Sequence, residues 1–477
     1  MTMRNLTMMT DLYQLTMMDG YFLEGKANDT AVFDVFFRQK DTINYAVFAG
    51  LDQAIDYIKN LHFSKEDIDY LRSLGIFDGA FLDYLKDFRF TGDMYSVCEG
   101  DIVYPQEPIV IIKAPLIEAQ LIETALLNII SHQTLIATKS ARIVSAAKGK
   151  SVVEFGLRRA QGPDAGIYGA RAAIIGGCNG TSNVLTGQMF DIPVKGTHAH
   201  SWVMSFDSEL DAFRAFARVY PDTCLLLVDT YDTIQGIRNA ITVFNELKAA
   251  GHKPIGIRLD SGDLAYLSKV ARKMLDEAGF PDAIVMASGD IDEYLLASLD
   301  NQGAKIDMYG VGTKLITSED TPSLGGVYKL SAIAKNGGKL VPRMKVSDSM
   351  VKVTNPGLKT LYRIYDKKSG MAFADLIALK DEKLDKPLVL THETERWKTT
   401  TLDDYDVRCM LHKIFENGKN VYNSPALSDI VKFAESERAK FWDEYKRIDN
   451  PQIYKVNLSD GLYELKHKLL KEHRAKH

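Results

Sequence analysis

Hydrophobic and polar positions follow two different rhythms along this chain, and the change of rhythm divides it. Residues 6–23 repeat Leu, Met and Tyr at helical spacing, which predicts an amphipathic helix packed on a core. Residues 30–38 (TAVFDVFFR) and 45–48 read as strands, 50–60 as a helix and 64–88 as further helix. Residues 92–115 break into short β-rich runs separated by Glu-Gly-Asp and two proline turns, which reads as a small β module. A long helical pattern carrying Glu118, Glu123 and His132 follows, from 116 to about 148.

From residue 151 the rhythm becomes regular. Apolar runs at 151–155, 178–182, 192–197, 223–229, 254–259, 283–287 and 305–311 are separated by helical patterns such as 231–250, 264–279 and 291–300. Seven strands at this spacing fit a β/α barrel better than a six-stranded doubly wound sheet, and an irregular or incomplete barrel fits equally. After Tyr328 the alternation stops. Residues 329–425 return to short β runs and turns, and the last fifty residues are charged and helical. The predicted organisation is α/β: an N-terminal α+β domain at 1–130, an irregular β/α barrel at 131–328, and a C-terminal part at 329–477. That last part packs on the first, so the second α+β domain is built from both ends of the chain.

Composition narrows the function. With 477 residues and 46% hydrophobic positions, the chain reads as a soluble globular protein of two or three domains. Its 58 basic and 63 acidic residues leave a net charge of -5, which argues against a nucleic-acid binder held by bulk charge, so any anion must be bound locally. Cys98, Cys178, Cys224 and Cys409 are scattered, with no CxxC pair, as in a reduced cytoplasmic chain. Asp11 and Asp19 interrupt the N-terminal apolar stretch, and no uncharged run has transmembrane length, so neither secretion nor a membrane is expected.

The chemistry lies where the predicted strands end. In order, the ends carry Arg158 and Arg159, Thr181 and Ser182, Thr197 and His200, Asp229, Arg258 and Asp260, Ser288-Gly289-Asp290, and Gly310-Val311-Gly312-Thr313. Parallel strands share a direction, so these groups converge on one face. Singly, each has an ordinary structural explanation: an Arg-Asp pair is usually an ion pair, and Asp-Ser-Gly-Asp is a common turn. Their conjunction is what those explanations miss. The glycine turn at 310–314 suits a phosphate, although no GxxxxGK[ST] motif is present and GxGxxG is absent too. Arginines suit phosphate and carboxylate alike, so phosphate at one end and a second anion at the other is expected. His200 reads as a core histidine, a metal ligand, or a nucleophile or base. With only His198 nearby, zinc is disfavoured.

Six blocks carry a resemblance: DLYQLTM at 11–17, FGLRRAQGPD at 155–164, NGTSNV at 179–184, GTHAHSWVMSF at 196–206, RLDSGD at 258–263 and YGVGTKL at 309–315. Together, in order and over nearly the whole chain, they resemble the nicotinate phosphoribosyltransferase family. The resemblance implies a type II phosphoribosyltransferase, with an irregular α/β barrel, a second domain from both chain ends, and a homodimer whose active sites lie at the interface. The implied reaction joins nicotinic acid to 5-phosphoribosyl 1-pyrophosphate, giving nicotinate mononucleotide and pyrophosphate, coupled to ATP hydrolysis with Mg²⁺. By the same resemblance, His200 is the phosphorylated histidine, Thr197 and Arg258 contact the nicotinate side, and Tyr13 and Phe155 sandwich the pyridine ring, Tyr13 coming from the partner subunit. Arg158, Gly312 and Thr313 fall near the donor's phosphates. Ser288 and Gly289 join the substrate-binding set, and Ser182 stands where nicotinamide-using relatives carry an aspartate. Asp260 either stabilises the ribosyl cation or orients Arg258. No metal ligands and no role for His198 follow. The competing readings are a nicotinamide-using relative, a barrel aldolase or sugar-phosphate isomerase, and a catalytically dead binding protein. An aldolase would need a buried Schiff-base lysine at a strand end, and none stands out.

Overall fold

Five short apolar runs pair as parallel strands in the order Ser151–Glu154, Met308–Val311, Ile284–Gly289, Gly256–Leu259, Leu225–Leu227. They are nearly wholly buried, as expected of parallel strands covered on both faces. The computed structural model describes residues 5–38, 43–347, 349, 352–384 and 386–474. It divides into two units: Ile136–Pro322, which holds this sheet, and Met1–Leu135 together with Ser323–His477. The boundary at 135/136 falls inside the helix Glu123–Ala146.

The other two expected strands, 178–182 and 192–197, contribute only isolated parallel bridges, Glu154 with Thr181 and Thr181 with Val194. The reason is chemical. Pro193 has no N–H to donate and serves only as an acceptor, taking Thr181 N at 3.1 Å. Asn183 leaves the extended line to cap the helix Val184–Phe190, accepting from Thr186 N at 3.2 Å. The parallel array therefore has five strands and two segments joined only by isolated bridges, running from Val194 at one side to Leu225–Leu227 at the other.

Helices follow the strands with a repeated start signal. Asp232 caps Thr233–Ala249, Asp263 caps Leu264–Glu277 and Asp292 caps Glu293–Asn301, each side chain accepting from a backbone N–H in the first turn. Their apolar faces, including Ile237, Phe244, Ala271, Leu275 and Leu296, are buried. The Asp-Ser-Gly-Asp turn is thereby split: Asp263 is occupied by its helix, whereas Asp260 is not.

In the other unit, a seven-stranded antiparallel sheet interleaves early and late strands: Val341–Pro342, Gly326–Ala334, Thr30–Phe37, Val110–Pro115, Asp93–Ser96, His412–Glu416 and Lys419–Asn420. Phe33 stacks on Tyr328 with centroids 4.5 Å apart, and Tyr328 OH donates to Ala119 O at 2.7 Å. The expected long helix after 115 is two, Leu116–Leu121 and Glu123–Ala146. A second, four-stranded sheet sets Tyr405–Cys409, Lys359–Asp366, Ala372–Leu379 and Val456–Leu458 side by side.

That second sheet buries a charge. Arg363 is wholly inaccessible, donating to Asp375 at 2.9 and 2.6 Å and to Ile102 O at 2.6 Å, with Phe441 4.9 Å from its guanidinium. Glu107 lies beside them, and burial together with the negative Asp375 pushes its carboxyl well above the ordinary range. That direction favours the uncharged carboxyl, and an amide is its nearest uncharged replacement. Arg363→Met, in contrast, strands Asp375 without its counter-charge, a change worth about 3–5 kcal/mol. Urea unfolding should show that loss for Arg363→Met and less than about 1 kcal/mol for Glu107→Gln; equal losses would mean that Glu107 is charged.

Candidate active site

The centre of the strand-end face is the turn after Gly256–Leu259. Asp229, just beyond the neighbouring strand, accepts from Asp260 N at 2.8 Å and from Ser261 Oγ at 2.7 Å, which fixes the turn. Asp260 Oδ1 then accepts a short hydrogen bond from Ser288 Oγ, while Oδ2 lies 3.8 Å from His200 Nε2. Gly289, at φ +119°, completes the arrangement, since a Cβ there would sit 2.9 Å from Asp260 O. His200 opens the helix His200–Met204, and its Nδ1 lies 3.1 Å from Thr230 Oγ1. Its ring is thus held at one nitrogen and presented at the other.

Arg258 projects from the same strand end. One Nη2 donates to His198 O at 2.9 Å, and its Nε is buried with no partner among the described residues. Burial lowers the guanidinium's pKa, Asp260 and Asp229 oppose that, and Arg158 adds to it. Arg158, exposed in the turn after Ser151–Glu154, is thus near enough to repel Arg258, and two cations so placed favour an anion. Thr197 Oγ1 donates to the same His198 carbonyl at 3.2 Å.

Phe155 follows Ser151–Glu154 and lies over Gly310, where a Cβ would fall 2.6 Å from its ring. Gly312 passes close to the Phe155 backbone, with its hypothetical Cβ 3.3 Å from Phe155 O, and Thr313 begins the next short helix. Lys314 is engaged, with Asp292 at 3.1 Å and Glu319 at 3.8 Å. Ser182 is half-buried, and its N–H donates to Glu154 O at 2.9 Å. Buried Glu154 accepts from Thr181 Oγ1 at 2.6 Å and from Gly156 N, and burial raises its carboxyl's pKa. Tyr13 belongs to the other unit, on the helix Leu12–Leu23, where it is 49% exposed.

The structure thus gathers His200, Asp260, Arg258, Ser288, Gly289 and Thr197 around one turn, with Phe155, Gly312 and Thr313 around a second. The sequence left Asp229 as one strand-end acid among several and passed over Thr230. Their adjacency in LLLVDT, directly after an apolar run, was the available signal. Among the described residues, no group of three or more His, Cys, Asp and Glu could hold a metal, and no helix is long and apolar enough to cross a membrane.

His198 is the residue that the sequence left without a role. It is 7% exposed, its Nε2 accepts from Leu227 N at 3.2 Å, and its ring meets Phe216 edge-on at 4.8 Å.

Parallel strands that deliver two arginines, a histidine and two carboxylates to one face define a β/α enzyme of anionic substrates. Comparison with known proteins agrees along the whole length. The chain matches the nicotinate phosphoribosyltransferase (NAPRTase) N-terminal domain at residues 8–131, the NAPRTase family proper at 150–360 and the C-terminal domain at 358–466. It is 46% identical over 463 residues to nicotinate phosphoribosyltransferase of Bacillus subtilis (strain 168), covering 96% of this chain and 94% of the relative. To the human enzyme it is 30% identical, covering 96% and 95%. The crystal structure of human nicotinic acid phosphoribosyltransferase superposes with a TM-score of 0.86 at 29% identity, over 96% of this chain and 99% of that one. A nicotinate-nucleotide pyrophosphorylase from Pyrococcus furiosus shares the fold, with a TM-score of 0.70 at 23% identity over 91% and 96%. The protein belongs to the nicotinate phosphoribosyltransferase family, and it is an enzyme of NAD salvage.

Burial pushes the His198 pKa down to about 4, and the positive Arg258 contributes, so the ring is neutral at pH 7. An unfolded histidine protonates near 6.5, so between these values the unfolded state binds the extra proton and stability falls as pH falls. The full effect is on the order of 3 kcal/mol by pH 4. Thermal melts from pH 7 to 4 should show a shallower decline for His198→Gln than for the parent; parallel curves would mean that His198 does not stay neutral.

Proposed function

We propose that the protein joins nicotinic acid to 5-phosphoribosyl 1-pyrophosphate, producing nicotinate mononucleotide and pyrophosphate, with ATP hydrolysed through a phosphohistidine at His200. The observation that carries this reading is the cluster of His200, Asp260, Ser288 and Arg258, tied together through Asp229 and Thr230. The unit Ile136–Pro322 supplies the chemistry, and its parallel array is an irregular barrel.

Arg258, whose buried Nε has no partner among the described residues, takes the nicotinate carboxylate with help from Thr197, and Phe155 gives the flat ring an aromatic face. Ser182 borders the ring without adding negative charge, which favours acid over amide. Arg158 and the Gly312-Thr313 turn hold the donor's phosphates. As the pyridine nitrogen attacks the anomeric carbon and the bond to pyrophosphate breaks, positive charge grows on the ribose, and the Asp260 carboxylate stands ready to offset it. Gly289 and Ser288 keep that carboxylate in place.

The residues suit Mg²⁺, which usually takes one or two carboxylates and fills its other positions with phosphate oxygens and water. Asp229 Oδ1 is buried without a partner among the described residues, and Asp260 is its neighbour, so these two would hold the ion. When bound, it neutralises charge on the leaving pyrophosphate.

His200 serves the energy coupling. With Nδ1–H donating to Thr230, the Nε2 lone pair attacks the γ-phosphorus of ATP; a P–N bond forms, and the P–O bond to the departing ADP breaks. Water later cleaves the P–N bond and releases phosphate. Four free thiols among the described residues suit a reducing compartment, and we assign the enzyme to the cytoplasm.

The decisive assay uses purified protein, the ribosyl donor and Mg²⁺ with nicotinate or nicotinamide, with and without ATP. Nicotinate should be the acceptor; a preference for nicotinamide would favour the amide-using alternative. His200→Asn should still make mononucleotide slowly but lose ATP stimulation and the acid-labile, base-stable protein phosphate. Persistence of both in that variant would end the phosphohistidine reading.

Tyr13 belongs, in this proposal, to a partner's site in a homodimer. Tyr13→Ala and Arg158→Ala proteins, each inactive, should recover activity when co-refolded, because a heterodimer regains one intact site, up to about a quarter of the parent rate for random mixing. No recovery despite demonstrated subunit exchange would place both residues in one chain's site.

A further inference from the structure

The parallel array has two outer members, the 192–197 segment and the strand Leu225–Leu227, and among the described residues no backbone hydrogen bond joins them. Leu227 pairs on its other side with Arg258, and because Val228 N donates to Arg258 O at 3.2 Å, strand alternation turns the Leu227 N–H away from that neighbour. It would be a buried donor without a partner, at a cost comparable to a lost hydrogen bond. The group that accepts it is a side chain, His198 Nε2 at 3.2 Å. The Nδ1 atom faces Ala199 O at 3.5 Å, which places the imidazole proton on Nδ1 and leaves the Nε2 lone pair for Leu227. Phe216 at 4.8 Å and Phe213 at 6.1 Å wall in the ring.

We propose that His198 is a positioning residue: its neutral imidazole replaces the missing backbone bond at this seam, joins the outer members of the array, and so holds Arg258 and His200 in register. The second half of this follows from the same residue's main chain. His198 O accepts from Arg258 Nη2 at 2.9 Å and from Thr197 Oγ1 at 3.2 Å, and two residues later His200 begins its helix. One anchored residue therefore fixes the guanidinium from Gly256–Leu259, the hydroxyl of Thr197 and the start of the His200 helix. An ordinary core histidine would fill space between Phe213 and Phe216 without accepting from a strand N–H. A leucine could fill the same space, but it could not accept.

The kinetic part rests on the assignment of Arg258 to the nicotinate carboxylate, so the experiment has an arm that does not use activity. Hydrogen exchange by mass spectrometry would follow peptides spanning 196–204 and 223–229, with 283–289 as an internal control. In His198→Leu, exchange in both seam peptides should speed up by about tenfold, the size of one lost buried hydrogen bond, with the control unchanged. His198→Gln, whose amide oxygen reaches about as far as Nε2, should restore protection. In parallel, the nicotinate KM should rise about tenfold in His198→Leu with kcat and the ribosyl-donor KM within about threefold, and return in His198→Gln. If His198→Leu does not fold, the shorter His198→Asn takes its place. Unchanged exchange in the 223–229 peptide, or failure of Gln to restore it, overturns the seam. Restored exchange with a nicotinate KM that never moved overturns the positioning role. If the parent itself does not use nicotinate, the functional assignment fails, and faster exchange at 196–204 that Gln reverses still supports the anchoring.

Discussion

One carboxylate sets the geometry on which the strand-end face depends. Asp229 Oδ2 receives two hydrogen bonds from the turn that follows the adjacent strand, one from Asp260 N and one from Ser261 Oγ. A turn with several glycine-permitted conformations is reduced to one, and the entropy of ordering it is met by hydrogen bonds to a charged acceptor. Only then does Asp260 point between Ser288 and His200. Gly289 makes the packing possible, because any side chain there would strike Asp260 O. The cluster is thus assembled through three strands that are neighbours in the sheet and successive along the chain, each separated from the next by a helix.

Much of this was legible, because parallel strands write themselves as apolar runs ending in turns. The runs at 223–229, 254–259 and 305–311 each contain a strand, the run at 283–287 continues as one to Gly289, and the polar residues at their ends lie on one face. The two runs that yielded only isolated bridges carry their own explanation in Pro193, which cannot donate, and Asn183, which is spent as a cap. Which acids are free was not legible. Asp260 and Asp263 are indistinguishable within RLDSGD, and only the helix Leu264–Glu277 shows that Asp263 is a cap. The pairing of His200 with Thr230 spans thirty residues and is fixed by strand order, which no local pattern records. His198 was hidden for another reason: it is buried like an apolar residue, yet used as an acceptor.

The two units pair their buried arginines differently. Around Arg363, every cation faces a carboxylate at hydrogen-bond distance, and Tyr454 adds a donor to Asp375 at 3.1 Å. Such a network specifies one packing, although Arg363 Nη1 and Glu107 Oε1 also have no hydrogen-bond partner among the described residues, Nη1 lying 3.9 Å from Glu437. Around Arg258, the balance is left open. Its Nε lacks a partner among the described residues, as does Asp229 Oδ1, and burial opposes the guanidinium's charge while Arg158 adds repulsion.

An unsatisfied buried donor costs stability, so its persistence at a strand-end cluster asks for a compensating gain. On the proposed assignment, the gain comes on binding. A carboxylate meeting Arg258 satisfies Nε and relieves the repulsion from Arg158, while a cation between Asp229 and Asp260 satisfies the free oxygen. On the same assignment, a chain with a net charge of -5 can take a carboxylate and phosphates because attraction comes locally, from the desolvated Arg258 and the exposed Arg158, and not from the bulk charge. It also explains why the neighbouring histidine must be neutral. A protonated His198 would add a third positive charge beside Arg258 and lose the lone pair that holds Leu227, so it would weaken both the electrostatics and the seam.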